Sequence, residues 1–247
     1  INAGLMLEAM SAGAMEVFEK PSQGLTDEIC EQLMRVLRTA AAAQLPREVA
    51  PAPVPSSASA RAASVCVMVA STGGPRTLER ILQRLSPKDT LPLVLIQHTL
   101  PGFTDELVRW LGRTSGFAVC SPRDRAPLAR GWLYLANDGS DLELTGQGFR
   151  SARGAVNGPH PCGDVTLASA VRTFLGKAAG VVLTGMGNDG ARGLRAIAEC
   201  GGQVAVQRPD SCVIAGMPQA ALQATPHAQV FDPIQIAAWV AALSRAQ

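Results

Sequence analysis

The stretch that decides the fold is Val65 to Leu82, "VCVMVASTGGPRTLERIL". Six apolar or small residues run without interruption to Ser71, and the pattern restarts after two glycines and a proline as an amphipathic helix. A continuously apolar run of this length suits a strand buried on both faces, and such strands belong to parallel sheets with helices packed on either side. The hydroxyl-and-glycine turn at 71–74 lies at the carboxyl end of that strand, where open α/β sheets bind ligands. Two chemistries compete for it. The turn could cradle a phosphate at a helix N-terminus, or it could hold up Ser71 as a nucleophile.

The rest of the chain repeats the alternation. Strands are expected at 65–70, 93–97, 117–120, 132–135, 142–145, 180–183 and 203–206, and helices at 75–85, 103–111, 164–175, 189–200 and 233–243. Each helix shows one apolar face, such as Leu78, Ile81, Leu82 and Leu85 in the first. Asp232-Pro233 reads as an N-cap followed by proline at the first helical position. The pattern predicts a doubly wound, mostly parallel α/β sheet with helices on both faces. Asn137-Asp-Gly139 lies between two short strands and predicts an antiparallel hairpin over 132–145.

The main domain is expected over 64–247. Before it, residues 40–63 are Ala, Pro and Ser with almost no large apolar side chain, which predicts a flexible stretch within a 25–63 linker. A short helix at 25–39 opens that linker, with Thr26 as its N-cap. Residues 1–24 form a separate N-terminal piece.

Composition excludes several classes. With 47% hydrophobic residues, 17% charged and a formal charge of +2, nothing argues for a nucleic-acid surface. No apolar run approaches the ~18 residues a bilayer span needs, and no signal-peptide pattern opens the sequence, so a cytoplasmic setting is expected. The six cysteines form no C-x-x-C pair and read as small buried hydrophobes rather than a disulfide frame. His160-Pro-Cys162 is half of a metal-binding pattern with no second half, so neither a metal nor a cofactor is expected.

Three strand ends carry polar residues of catalytic type: Ser71, His98 and the loop Thr184-Gly-Met-Gly-Asn-Asp189. Each has a plainer role open to it: a helix cap or anion loop for Ser71, a core histidine for His98, a cap of its own helix for Asp189. Together they are what nucleophilic acyl transfer needs, namely a hydroxyl, a base to take its proton and a group to orient that base. Backbone N–H groups in the two glycine-bearing turns, at Thr72 and Met186, would form an oxyanion hole. The turn at 71–75 lacks both the dinucleotide G-x-G-x-x-G and the Walker lysine, which weakens a phosphate cradle. There is no G-x-S-x-G elbow, so this is not an α/β-hydrolase. If the triad is right, His98 should lie within hydrogen-bonding reach of both Ser71 and Asp189.

Four motifs in order, "ASTGGP" (70–75), "IQHTLPGF" (96–103), "LTGMGNDGARGL" (183–194) and "CVIAGMP" (212–218), resemble the catalytic domain of chemotaxis protein-glutamate methylesterases. The resemblance implies Ser71 as nucleophile, His98 as base, Asp189 as orienting acid and the Met186 amide at the oxyanion. It implies hydrolysis of glutamate methyl esters on chemoreceptor helices, releasing methanol, and deamidation of receptor glutamines. "LEAMSAGAMEVFEKPS" (7–22) is similar to the end of a response-regulator receiver domain, with Lys20-Pro21 at its lysine-proline pair. A complete receiver in the parent protein would bring a histidine kinase as partner; residues 1–24 alone, without a phospho-accepting aspartate, are not expected to form a phosphorylation switch. A noncatalytic receiver-linked signalling module of the same fold is the alternative function. Two segments depart from the family pattern, Asn137–Asp141 where a Gly-Gly-Arg-His turn is usual, and Pro161-Cys-Gly-Asp-Val-Thr-Leu167 where Pro-Ser-Val-Asp-Val-Leu-Phe is usual.

Overall fold

The computed structural model describes residues 3–12, 14, 17, 21, 24–43, 62–99, 102–152 and 160–245. Lys20 of the receiver-like segment, most of the Ala/Pro/Ser stretch and Leu100–Pro101 of the second motif lie outside the described residues.

Two helices, α1 (Ala3–Ser11) and α2 (Asp27–Ala42), precede the main domain. Thr26 caps α2, its Oγ1 accepting from the Ile29 N–H at 3.3 Å, and the helix leaves Met34 and Leu37 exposed. The domain then runs β1 (Val65–Ala70), α3 (Gly74–Leu82), β2 (Leu93–Gln97), α4 (Thr104–Ser115), β3 (Ala118–Cys120), β4 (Trp132–Leu135), β5 (Asp141–Thr145) and β6 (Gly148–Ala152). It continues with α5 (Gly163–Phe174), β7 (Ala178–Val182), α6 (Ala191–Glu199), β8 (Gln203–Gln207), α7 (Gly216–Ala224), β9 (Gln229–Phe231) and α8 (Pro233–Arg245).

Seven strands form one parallel sheet in the order β3-β4-β2-β1-β7-β8-β9. From β1 the chain winds first towards β2, then crosses back and winds from β7 to β9, so the direction reverses between β1 and β7. That reversal puts α3, α4 and α8 on one face, around Met68, Leu95 and Trp239. It puts α5, α6 and α7 on the other, around Val67, Val69, Ile96, Leu167 and Leu194. Every residue of β1 is buried, as its continuously apolar sequence requires. α1 packs on α3 and α4, with Met6 buried there. At the expected start of α8, Asp232 Oδ1 accepts from the N–H groups of Ile234 and Gln235 at 2.8 and 2.9 Å.

The antiparallel hairpin lies further along the chain than expected. Residues 132–135 pair in parallel with both β2 and β3, as a member of the main sheet. Ala136 still donates to Leu95 O, and the Asn137–Gly139 turn then carries the chain off the sheet rather than back along it. The hairpin is β5 with β6, closed at Gly146-Gln147. Its second strand escaped the sequence pattern because Phe149 is its only large apolar residue. α7 and the three-residue β9 were also not expected. The six cysteines are unpaired, with Cys66 and Cys212 buried but Cys200 exposed.

Candidate functional site

Register brings Ser71 and His98 together. Ala70 pairs with Gln97 at the last rung of β1 and β2, so Ser71 and His98 are the next residues on adjacent strands. The His98 N–H donates to Ala70 O at 3.0 Å, and the Ser71 N–H donates to Thr184 O at 3.0 Å on the other side. Alternation along the strands sends Ser71 to the same face as Val67 and Val69, and His98 to the same face as Val94 and Ile96. Both therefore face the layer of α5 and α6.

Asp189 reaches this point from the loop between β7 and α6. It does not cap its own helix; Gly190 occupies that cap position with φ +86°. Its carboxylate instead caps α5, with Oδ2 accepting from the Gly163 N–H at 2.6 Å and Oδ1 from the Asp164 N–H at 3.0 Å. Oδ1 also accepts from the Gly190 N–H at 2.9 Å and lies 3.4 Å from Cys162 Sγ. His98 Nε2 stands 2.8 Å from Oδ2. Burial pushes this carboxyl up, but the His98 bond and the Gly163 and Asp164 N–H groups outweigh it and hold the group at about 2. An ionised carboxylate can only accept, so Nε2 carries a proton and donates it to Oδ2, and Nδ1 is the ring nitrogen left for other chemistry. Burial pushes the neighbouring Cys162 thiol up to about 11, so it stays an S–H donor towards Asp189.

His98 thus meets Asp189, but among the described residues no hydrogen bond joins it to Ser71 Oγ. Such contacts are often open in a ligand-free site and close when substrate arrives. Thr72 lies in the turn after Ser71, and Met186 stands on the facing loop with its side chain 54% exposed at the rim.

Two glycines permit the close packing. A Cβ on Gly163 would fall 2.4 Å from Val69 Cγ1, so only glycine lets the α5 N-terminus reach Asp189 over β1. A Cβ on Gly185 would fall 2.6 Å from Ser71 Cβ and 2.3 Å from Met217 Sδ.

Three buried polar residues to which the sequence alone assigns no role tie the strand ends. Gln97 Nε2 donates to both Ser71 O and His98 O at 2.9 Å. Thr184 Oγ1 lies 3.0 Å from Thr72 O and accepts from the Ile214 N–H at 3.1 Å. Gln207 accepts from the Thr184 N–H at 2.9 Å and donates to Ser211 O at 3.0 Å. Their signal was an amide or hydroxyl closing an otherwise apolar strand. No group of three or more metal-ligating side chains occurs among the described residues.

These features define a doubly wound α/β domain with a polar site at the carboxyl edge, at the point where the winding reverses. A family model described as CheB methylesterase matches residues 66–240, and the chain belongs to the CheB methylesterase family. It is 37% identical over 225 residues to "Protein-glutamate methylesterase/protein-glutamine glutaminase 3" of Myxococcus xanthus, covering 88% of this chain and 62% of that protein. A relative of the same name, without the number, from Archaeoglobus fulgidus is 32% identical over 232 residues, covering 88% of this chain and 66% of that protein. The chain thus spans somewhat under two thirds of the length of these two relatives. The crystal structure of the Thermotoga maritima CheB methylesterase catalytic domain superposes with a TM-score of 0.70 at 31% identity, covering 73% of this chain and 98% of that one.

Proposed function

We propose that this chain is a serine esterase that hydrolyses glutamate methyl esters on the cytoplasmic helices of chemoreceptors, and that it also deamidates receptor glutamines. His98 Nδ1 takes the proton of Ser71 as Oγ bonds to the ester carbonyl carbon. The Thr72 and Met186 N–H groups stabilise the resulting oxyanion. His98 then returns the proton to the methoxy oxygen, the C–O bond breaks and methanol leaves. Water adds to the acyl-enzyme by the same route in reverse, giving glutamate and free Ser71; with a glutamine the leaving group is ammonia. Asp189 holds Nε2–H throughout and stabilises the imidazolium that forms.

The observation that carries this reading is the 2.8 Å contact of His98 with Asp189 on the face and at the edge where Ser71 follows β1. The relatives' printed names supply the substrate class. The N-terminal segment is proposed as the end of a receiver domain, through which a histidine kinase would act on the parent protein, and the setting as cytoplasmic. Among the described residues no helix is long and apolar enough to cross a membrane. An alkyl fluorophosphonate, followed by peptide mass spectrometry, tests the reading: the adduct is expected on Ser71, with methanol released from methylated receptor fragments. A folded protein that takes no adduct and releases no methanol would instead be the noncatalytic module.

A further inference from the structure

The two segments that depart from the family pattern meet each other. Asp141 opens β5 and is buried, and its Oδ1 accepts from His160 Nδ1 at 2.9 Å and from the Cys162 N–H at 2.8 Å. Cys162 directly precedes the two N–H groups that hold Asp189, and its own thiol points to the same carboxylate. From Asp141 to the His98 contact there is one continuous chain of hydrogen bonds and three consecutive backbone residues.

β5 acts as a rail for α5. Further along it, Thr166 Oγ1 donates to Leu142 O at 2.7 Å, the Leu144 N–H donates to Ser169 Oγ at 2.9 Å, and Thr173 Oγ1 donates to Leu144 O at 2.9 Å. These contacts hold the body of the helix. Asp141 supplies the one at the N-terminal end, the end that faces Asp189; near the other end Glu143 Oε1 accepts from Arg172 Nη2 at 3.3 Å, with the arginine side chain exposed. Bonds to a carboxylate are the stronger kind, and those to buried Asp141 are screened less than the exposed Glu143–Arg172 pair.

We propose that Asp141 is a positioning residue: its buried carboxylate fixes residues 160–164, whose donors in turn hold Asp189 against His98. The proposal rests on the esterase reading for its effect on turnover, and on the contacts alone for its effect on the backbone. Removing the anchor lets the α5 N-terminus drift while the remaining contacts keep the helix in place. A displacement of about 1 Å at a catalytic constellation can cost on the order of 10²-fold in rate.

The test compares Asp141→Ala, Asp141→Asn and Thr173→Val with wild type, by methanol release and by backbone amide hydrogen exchange. Asp141→Ala is expected to lower kcat about 10- to 100-fold with KM nearly unchanged, and to speed exchange at Cys162, Gly163 and Asp164 together. Asp141→Asn keeps a carbonyl acceptor and should recover most of both. Thr173→Val breaks the far contact, so it should lose local protection near Thr173 with kcat at the wild-type level. Faster exchange at Cys162 alone, or equal kcat in Asp141→Ala and Thr173→Val, overturns the proposal. A wild type that releases no methanol overturns the esterase reading instead, and the exchange pattern still decides whether Asp141 anchors the segment.

Discussion

Replacing Asp189 by asparagine removes the charge on which five donors converge: His98 Nε2, the N–H groups of Gly163, Asp164 and Gly190, and Cys162 Sγ. At about 1.4 kcal/mol for each tenfold change in proton affinity, the drop from an ordinary 3.8 to about 2 is worth roughly 2–3 kcal/mol of folding stability. The asparagine keeps one acceptor oxygen but turns an NH2 group towards donors, and each buried donor left unpaired costs about 1–3 kcal/mol more. With one donor left unpaired a loss of about 3–6 kcal/mol at pH 7 follows, which a domain with stability in the upper part of the ~5–15 kcal/mol range survives. The pH dependence carries a definite sign. Because the folded-state value is depressed, the wild-type advantage is fully present above about pH 4 and disappears as pH falls through about 2. Urea denaturation from pH 7 down to pH 2, followed by the fluorescence of buried Trp110 and Trp239, measures it. The two stability curves should converge as the solution is acidified. Curves that stay parallel over that range would refute the claim that Asp189 is held ionised by its donors.

Other substitutions test separate parts of the account. Gly185→Ala pushes a methyl group against Ser71 Cβ and Met217 Sδ; methanol release should fall on the order of 10²-fold, and an unchanged rate would show that Ser71 tolerates displacement. Gln97→Ala removes the donor shared by Ser71 O and His98 O, so chemical denaturation should show a loss of about 1–3 kcal/mol; no loss would mean the strand ends hold without that tie. Leu194→Ala opens a cavity where the first turn of α6 packs on β7 at Gly180. A stability loss of about 2–5 kcal/mol in chemical denaturation is expected, and a loss under about 1 kcal/mol would contradict the packing.

Much of this architecture could be read before any coordinates. β1, β2 and β7 are so uniformly apolar that only a doubly covered parallel sheet can hold them, and that sheet alone brings Ser71 and His98 to one edge. What was illegible came from pairing and orientation. Trp132–Leu135 carries no mark that says parallel rather than antiparallel, since that choice depends on where Leu95 and Cys120 lie in space. Asp189 was identified by its residue type, but its role as a cap for α5 is a contact across 25 residues. Gln97, Thr184 and Gln207 escaped because a buried polar residue looks like a surface one until its partners are known. Asp141 lies in a segment that reads only as a departure from a pattern and Cys162 reads also as half of a metal site; their contact appears once β5 and the α5 N-terminus are side by side.

The central claim is that Ser71 attacks the ester. Methanol release from methyl-labelled receptor fragments, measured for wild type and Ser71→Ala under the same conditions, tests it most directly. The alanine variant is expected to lose on the order of 10⁴- to 10⁶-fold in turnover while its unfolding curve stays close to that of wild type. Equal methanol release by the two proteins would contradict it.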